Sequence, residues 1–404
     1  MTKVTLQDIK NAKETIKNVV KQTDILESVK LSNMTGANVF YKCENLQKTG
    51  SFKLRGACNK IANLTDKEKS NGVIASSAGN HAQGVALGAS MTGIKATIVM
   101  PATAPLAKVT ATKGYGAEVV LNGLVYDDAY AKAVELQKET GATFLHPFDD
   151  EYVIAGQGTI GLEILEQLNG NVDTIICPIG GGGIIAGIAV AAKGINPNIK
   201  IVGVQTANIP SMHESMKNGE VTTAFKATTI ADGIAVKTPG NVTFEIIKEL
   251  VDEIVVVEED EIAQGMLFLM ENQKVVSEGS GAVSTAALLS KKYVPQQGEN
   301  VVCVISGGNV DVNTLYRVIG TALTKEGRRY AFNTVIQDKP GGLAELTKII
   351  SEHNANILHV NLSKSSTGGL GTLTTEMELE TFNKDHIDEI KAAIIKAGFE
   401  IVEI

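Results

Sequence analysis

Short apolar runs that suit β-strands alternate with helical patterns along most of this chain, and the alternation restricts the folds available to it. One series runs from Asn59 to Phe148, and a second runs from Thr174 to Ile305. Strands separated by helices are joined by right-handed crossovers, which produce parallel sheets covered on both faces. The sequence therefore predicts the α/β fold class, with two sheet domains and a cleft between them in which a small ligand can bind.

A different pattern follows the charged segment Thr324–Arg329, which we interpret as a linker. From Tyr330 to Ile404 the order strand–helix–strand–strand–helix–strand can be read, with a period of two in the strands and helical spacing of isoleucines in the second helix. This order is typical of small ferredoxin-like α+β domains. The chain is thus predicted to divide into a large unit, residues 1–325, and a small domain, residues 330–404.

Composition and charge exclude several classes of partner. The 404 residues carry a formal net charge of −8 and contain no tryptophan, which opposes general binding to nucleic acid or to an anionic membrane. The longest apolar run, Ile184–Ala192, is too short to span a bilayer, and Met1–Lys13 does not resemble a secretory signal. The cysteines lack paired spacing, so we expect buried free thiols and a cytoplasmic location: Cys43, Cys58, Cys177 and Cys303.

The segment Ser51–Ala57 places one lysine beside an aromatic ring, just before a helical pattern. Packing of Lys53 against Phe52 and its apolar neighbours is expected to lower the pKa of the ammonium group. An amine of this kind can form a Schiff base with a carbonyl cofactor. For this segment on its own, the alternative is an ordinary solvated lysine at the start of a helix.

The segment Ser76–His81 follows a predicted strand and opens a predicted helix. Free N–H groups at a helix N-terminus, together with the helix dipole, bind anions. The small residues Ala78 and Gly79 allow a ligand to approach the backbone closely. We therefore predict an anion site here, with a simple helix cap as the alternative.

Two further turns follow predicted strands. Gly180–Gly183 lie between the strand Thr174–Cys177 and a helix, where consecutive N–H groups can surround a phosphate. Neither a Lys-Ser/Thr pair nor an acidic residue at dinucleotide spacing follows, so we predict a phosphate that belongs to no nucleotide. Ser306 follows the strand Val301–Ile305, at the edge where ligands enter such sheets. A plain connecting turn is the alternative in both places.

Taken together and in their order along the chain, these four segments resemble the corresponding segments of the threonine dehydratases (threonine ammonia-lyases). These are pyridoxal 5'-phosphate enzymes of fold type II. The resemblance extends from about Leu6 to Thr324 and implies the two-domain architecture of tryptophan synthase β. It implies a small subdomain, approximately residues 50–147, inserted in the large one. Lys53 would be the catalytic residue, holding the cofactor covalently and later acting as a base.

The resemblance also assigns further residues to binding roles. The segments that contact the cofactor in that family correspond here to Phe52, Lys53, Asn80, Gly180, Gly181, Gly182, Gly183, Ile184 and Ser306. The substrate carboxylate would lie against Ser77, Ala78, Gly79, Asn80 and His81.

The activity implied by the resemblance is deamination of the amino acid L-threonine to 2-oxobutyrate and ammonia, with L-serine giving pyruvate as a side reaction. Ala78 replaces the serine that donates a proton in racemase relatives, so we expect dehydration to dominate over racemisation. Gln205 replaces the glutamate of metal-binding relatives, so we expect no metal. The alternatives are a threonine synthase or another β-replacement enzyme of the same fold, and a non-catalytic amino-acid sensor.

The turn Asp338–Leu343, after the first strand of the tail, resembles that of ACT regulatory domains. Such domains commonly pair across subunits and bind amino acids there. The resemblance therefore implies an allosteric amino-acid or nucleotide effector and a homodimer or homotetramer. It leaves open the sign of the regulation, and whether the enzyme serves isoleucine biosynthesis or threonine breakdown.

Overall fold

Parallel strands dominate the larger part of the chain, as the alternating pattern predicts. The structure is a computed structural model that describes residues 4–225, 228–364 and 370–403. The chain separates into two units, Met1–Asp311 and Val312–Ile404. The segment Thr324–Arg329, interpreted above as a linker, therefore lies within the second unit.

Two sheets form the first unit. Its strands are β1 (Ile25–Glu27), β2 (Asn38–Cys43), β3 (Val73–Ser76), β4 (Ala96–Met100), β5 (Glu118–Leu121), β6 (Thr143–Phe144), β7 (Thr174–Pro178), β8 (Lys200–Thr206), β9 (Glu253–Val257) and β10 (Asn300–Ile305). One sheet has six strands in the order β1-β2-β10-β7-β8-β9, and the other has four in the order β5-β4-β3-β6. The pairings are parallel apart from that of β1 with β2. The predicted α/β class is confirmed.

Strand β2, near the start of the chain, pairs with β10, near the end of the first unit. Cys43 lies opposite Ile305, so the two strands end at the same edge of the sheet. The chain between them forms the four-stranded sheet and the strands β7, β8 and β9 of the six-stranded one. As a result, the segment Ser51–Ala57 begins beside the turn that follows β10, and Ser51 forms a β-bridge with Gly307.

Helices connect these strands. They are α1 (Leu6–Ile16), α2 (Val29–Thr35), α3 (Lys53–Ala62), α4 (Asp66–Asn71), α5 (Asn80–Met91), α6 (Leu106–Gly114), α7 (Tyr126–Thr140), α8 (Glu151–Gln167), α9 (Gly183–Ile195), α10 (Ser211–Asn218), α11 (Asn241–Leu250), α12 (Glu259–Phe268) and α13 (Gly279–Leu289). Short 3₁₀ turns lie at Glu44–Leu46 and Asp232–Ile234, and a π-helical turn, Leu269–Gln273, extends α12.

Helix α1 illustrates how local contacts set a boundary. Thr5 and Asp8 form a capping box at its start, where each side chain satisfies a backbone N–H of the other. The apolar spacing predicts a helix that continues to residue 21. The structure ends it at Ile16, because the amides of Val19 and Val20 both turn back to the Ile16 carbonyl.

The second unit is a small α+β domain with an additional N-terminal helix. Its elements are α14 (Val312–Lys325), β11 (Arg329–Gln337), α15 (Gly342–Glu352), β12 (Asn356–Lys364), β13 (Thr372–Glu380), α16 (Lys384–Lys396) and β14 (Val402–Glu403). The antiparallel strands lie in the order β12-β13-β11-β14. Alternate residues of β11, including Phe332 and Ile336, are buried with Leu346 of α15 and Ile390 of α16. The predicted order of elements is confirmed, whereas α14 was not predicted.

Burial of the thiols also agrees with the sequence. Burial raises the pKa of the Cys58 thiol to about 12, which keeps it protonated. The unpaired, buried cysteines are Cys43, Cys58, Cys177 and Cys303. Within the described ranges, no helix combines the length and the apolar character that crossing a membrane requires.

Candidate active site

Four segments of the first unit converge at the carboxyl ends of its strands. The loop Ser77–Gly79 follows β3, Gly180–Gly182 follow β7, and Ser306 follows β10. Lys53 is the first residue of α3. Parallel strands direct their carboxyl ends to one edge of a sheet, which is where ligands bind in open α/β folds.

Backbone hydrogen bonds fix the lysine segment to the serine turn. The Phe52 N–H donates to the Ser306 carbonyl at 3.1 Å, and the Gly308 N–H donates to the Gly50 carbonyl at 2.9 Å. Lys53 and Ser306, which are far apart in the sequence, are therefore held at one place by their own backbones.

Together the segments line a cavity of about 690 Å³ in the first unit. All the site residues predicted from the sequence contribute to its wall: Phe52, Lys53, Ser77, Ala78, Gly79, Asn80, His81, Gly180, Gly181, Gly182, Gly183, Ile184 and Ser306.

Lys53 is half-buried, and its amine donates a hydrogen bond to the Pro147 carbonyl at 2.9 Å. Burial lowers the pKa of Lys53 to about 8, although the Glu278 carboxylate opposes this effect. The amine lies 5.1 Å from the centroid of the Phe52 ring, and an aromatic face attracts a cation rather than disfavouring it. The expected lowering of the pKa is confirmed, and its cause is burial of the amine.

The anion loop precedes α5. The Gly79 N–H is occupied, because it donates to Ser77 Oγ at 3.2 Å. The first N–H groups of α5, beginning at Asn80, have no partner inside the helix. The His81 ring contacts the Leu145 carbonyl at 2.8 Å, and burial lowers the pKa of His81 to about 3, so the ring is neutral. Since its ring is occupied, His81 can offer a ligand mainly its backbone N–H.

The tetraglycine turn is packed tightly on its protein side. A Cβ atom on Gly181 would lie 2.3 Å from the Phe148 ring, and Gly182 has φ +98°, which favours glycine. The Gly181 carbonyl accepts a hydrogen bond from Thr243 Oγ1 at 2.6 Å. Helix α9 then begins at Gly183, so its free N–H groups adjoin the cavity.

Comparison with known proteins decides the family. Residues 16–307 match the family model described as pyridoxal-phosphate dependent enzyme. The chain belongs to this family. Its cofactor is therefore pyridoxal phosphate, and the fold type II resemblance read from the sequence is confirmed. Residues 329–397 match the model of the ACT domain, which confirms the interpretation of the tail.

The relatives of this pyridoxal-phosphate dependent enzyme include deaminating enzymes. An L-threonine ammonia-lyase of Thermotoga maritima is 51% identical over 399 residues, which cover 98% of this chain and 99% of that one. A catabolic L-threonine dehydratase of Staphylococcus aureus is 52% identical over 319 residues, covering 78% of this chain and 92% of that one.

Solved structures agree with these relatives. A threonine deaminase of Solanum lycopersicum superposes with a TM-score of 0.75 and 40% identity, covering 78% of this chain and 92% of that one. Maize serine racemase has a TM-score of 0.75 and 38% identity, covering 80% of this chain and 99% of that one.

The residues present in this enzyme fit pyridoxal phosphate. The turn Gly180–Gly183 leaves no room for side chains beneath it and opens a helix, as a phosphate site requires. Ser306 is buried and lines the same cavity. Lys53 supplies an amine of lowered pKa in the same cavity.

Several cavity residues were not assigned roles from the sequence. Asn80 Nδ2 donates to Glu278 at 2.8 Å, and Asn309 Nδ2 donates to Asn80 Oδ1 at 2.8 Å. Lys108 of α6 forms an ion pair with Asp232 at 2.8 Å, and both line the cavity. The sequence around Glu278 is rich in serine and glycine, but no local spacing indicates that Glu278 contacts Asn80.

Gln205, for which the sequence resemblance predicts no role as a metal ligand, is buried near the end of β8. Its side chain accepts from the His213 N–H at 2.8 Å and donates to the Ile179 carbonyl at 3.3 Å. The described residues contain no group of three or more His, Cys, Asp or Glu side chains suited to a metal ion.

Proposed function

We propose that the chain is an L-threonine ammonia-lyase, which converts L-threonine to 2-oxobutyrate and ammonia. The observation that carries this proposal is the position of the Lys53 amine, which shares one cavity with the starts of α5 and α9. Those two helix starts suit the substrate carboxylate and the cofactor phosphate. The proposal agrees with the 51% identity to an L-threonine ammonia-lyase along nearly the whole of both chains.

The residues that would hold pyridoxal phosphate surround the cavity. Lys53 would bind its aldehyde carbon, and Gly180–Gly183 with Ile184 would surround its phosphate. Ser306 would contact the pyridine nitrogen and Asn80 the phenolic oxygen, as the family resemblance implies. When bound, the cofactor withdraws electrons from the substrate Cα, which makes the Cα proton acidic.

The protein then supplies position and proton transfer. The loop Ser77–His81 would hold the substrate carboxylate, so that Cα faces Lys53. With its pKa lowered to about 8, the Lys53 amine can accept the Cα proton near neutral pH. The β-hydroxyl leaves and is protonated to water, and the released enamine takes up water to give 2-oxobutyrate and ammonia. Ala78 offers no proton to the opposite face of Cα, which disfavours racemisation.

L-Serine should react as well. It differs from L-threonine by one methyl group, and a hydrophobic pocket distinguishes such substrates by only about 1–3 kcal/mol. We therefore propose pyruvate formation from L-serine as a side activity.

The ACT domain supports regulation by a small molecule. We propose an allosteric effector, an amino acid or a nucleotide, that binds outside the catalytic cavity. Assembly as a homodimer or homotetramer and a cytoplasmic location are further parts of the proposal.

The test of the activity uses the purified holoenzyme and L-threonine alone. We expect 2-oxobutyrate and ammonia in equal amounts, measured by a coupled reduction of the keto acid and an ammonia assay. Product that forms only when a second nucleophile is added would indicate a β-replacement enzyme instead. Binding of threonine without any product would indicate a sensor.

A further inference from the structure

Glu278 is a carboxylate in the wall of the catalytic cavity, and only 4% of its surface is exposed. Glutamate is rarely buried this far unless it is paired. Within the described part of the chain Glu278 forms no salt bridge, and burial raises the pKa of its carboxyl group, with the charge of Asp232 acting in the same direction and that of Lys108 opposing it. Burying a carboxylate without an ion pair costs free energy. The hydrogen bonds that Glu278 accepts therefore indicate which role it has in the cavity.

Those hydrogen bonds determine the orientation of Asn80. Glu278 Oε1 accepts from Asn80 Nδ2 at 2.8 Å and from Ser280 Oγ at 2.7 Å. On the other side, Asn80 Oδ1 accepts from Asn309 Nδ2 at 2.8 Å. Glu278 Oε1 is the acceptor in both contacts, so a flipped Asn80 amide would place its oxygen against that acceptor and its NH₂ against that of Asn309. One Asn80 N–H remains for a ligand.

The surroundings hold the Glu278 carboxylate in place. A Cβ atom on Gly307 would lie 2.5 Å from Oε1, and one on Gly233 would lie 3.1 Å from it. The Glu278 N–H also donates to the Gly307 carbonyl at 3.1 Å, which ties the residue to the turn after Ser306. Because Gly307 and Gly233 have no side chains, there is space for the Glu278 carboxylate between them and the cavity.

Helix capping does not explain why a glutamate is buried at position 278. Glu278 immediately precedes α13, yet its side chain makes no capping hydrogen bond to that helix. Its partners are instead side chains at the cavity, of which Asn80 lies 198 residues earlier in the chain.

We propose that Glu278 is a positioning residue whose carboxylate orients the Asn80 amide so that its remaining N–H points to the bound cofactor. The proposal rests on the function proposed above, in which Asn80 contacts the phenolic oxygen of pyridoxal phosphate. Removing the carboxylate deletes one of the hydrogen bonds that orient the Asn80 amide and leaves the one from Asn309, which weakens cofactor binding through Asn80 rather than through Lys53.

The test measures the apparent Kd of pyridoxal phosphate for cofactor-free protein in Glu278→Ala, Glu278→Gln, Asn80→Ala and the double variant Glu278→Ala/Asn80→Ala. Glu299→Ala is the matched control, because Glu299 also accepts hydrogen bonds from a threonine and a tyrosine but lies at the amino end of β10. Thermal unfolding of each variant reports folding, and borohydride reduction followed by peptide mapping reports attachment to Lys53.

We expect Glu278→Ala to raise the apparent Kd about tenfold, as the loss of a charge-assisted hydrogen bond does, with Lys53 still labelled. Glu278→Gln retains an acceptor and should restore most of the affinity. The double variant should bind like Asn80→Ala alone, and Glu299→Ala like the wild type. Wild-type affinity in Glu278→Ala, or independent effects of the two substitutions, would overturn the proposal. Failure of the wild type to attach the cofactor at Lys53 would instead reject the proposed function.

Discussion

A lysine amine attacks a carbonyl carbon only after it has lost its proton. Burial lowers the pKa of Lys53 from its ordinary value of 10.5 to about 8, while the negative charge of Glu278 limits the change. Near pH 8, about half of the amine is therefore unprotonated in the cofactor-free protein. The same side chain can then serve as the attachment point and as the base.

This pKa predicts the pH dependence of cofactor uptake. The rate at which cofactor-free protein binds pyridoxal phosphate should rise with pH and level off above about pH 8, since the neutral amine is the reactive form. The visible absorbance that appears on mixing measures the rate. A lysine-containing peptide is the control and should keep gaining rate until about pH 10.4. The same high midpoint in the protein would show that Lys53 is not buried as described.

At the scale of elements, buried charges fix the helix that begins with Lys53. Arg55 donates to both Glu44 and Glu163, with distances between 2.6 and 2.9 Å. Lys42 completes the group through a 2.7 Å contact with Glu163. The network joins α3 to α8 and to the end of β2, so the first turn of α3 has a defined position.

Removing the central cation should be costly. In Arg55→Met, two buried carboxylates would be left with one lysine, and we expect the free energy of unfolding to fall by about 3–5 kcal/mol. Urea unfolding of cofactor-free protein measures the change. Glu118→Gln is the comparison, because its ion pair with Lys95 is exposed at the surface and should contribute little. Equal stability of Arg55→Met and the wild type would contradict the importance of the network.

The tetraglycine turn has no room for an added side chain at Gly181. In Gly181→Ala the new methyl group would lie 2.3 Å from the Phe148 ring, and relief of such overlap should displace the turn. We expect the apparent Kd for pyridoxal phosphate to rise about tenfold or more. Gly114→Ala is the control, since a Cβ atom there meets nothing within 4 Å. Unchanged cofactor affinity in Gly181→Ala would mean that the turn does not hold the phosphate.

Elements with strong local signals were predicted with the bounds that the structure has. The strand Ala96–Met100 is a run that is apolar apart from Thr97 and is followed by Pro101, and both limits can be read locally. Helix α4 was missed because none of its residues is buried, so it has no apolar period despite a capping box. Strand β1 was missed because its three residues are defined only by pairing with β2.

The candidate site likewise has some parts that the sequence predicts locally and others that it does not. Each ligand-facing segment has a recognisable local pattern, such as the four consecutive glycines or the Ser77–His81 loop. The contacts that orient these segments join distant parts of the chain, as Glu278 does with Asn80 and Pro147 with Lys53. Such pairs depend on how the sheets assemble, and no spacing in one sequence indicates them.

In the whole molecule, the residues that line the catalytic cavity belong to the first unit, and the ACT domain belongs to the second. The Staphylococcus aureus dehydratase aligns over 92% of its own length but only 78% of this chain. A relative of that length therefore has no counterpart to about a fifth of this chain. We propose that the tail regulates the enzyme and takes no part in the reaction, because the cavity is lined by residues of the first unit.

Truncation tests that division. A chain ending at Lys325, the last residue of α14, should retain threonine deamination but lose its response to effectors, because the ACT domain is absent. Initial rates of the truncated and full-length forms, with and without isoleucine, valine and adenine nucleotides, measure the effect. Identical responses in the two forms would show that the tail has another role, such as assembly.

Covalent labelling shows directly whether Lys53 carries pyridoxal phosphate in an L-threonine ammonia-lyase. The holoenzyme is reduced with borohydride, digested and mapped by mass spectrometry, alongside Lys53→Ala and the control Lys48→Ala at an exposed lysine. We predict the cofactor label on the Lys53 peptide in the wild type and in Lys48→Ala, and neither label nor 2-oxobutyrate formation in a folded Lys53→Ala. A label on a different lysine, or wild-type deamination by Lys53→Ala, would show that Lys53 is not the residue that carries the cofactor.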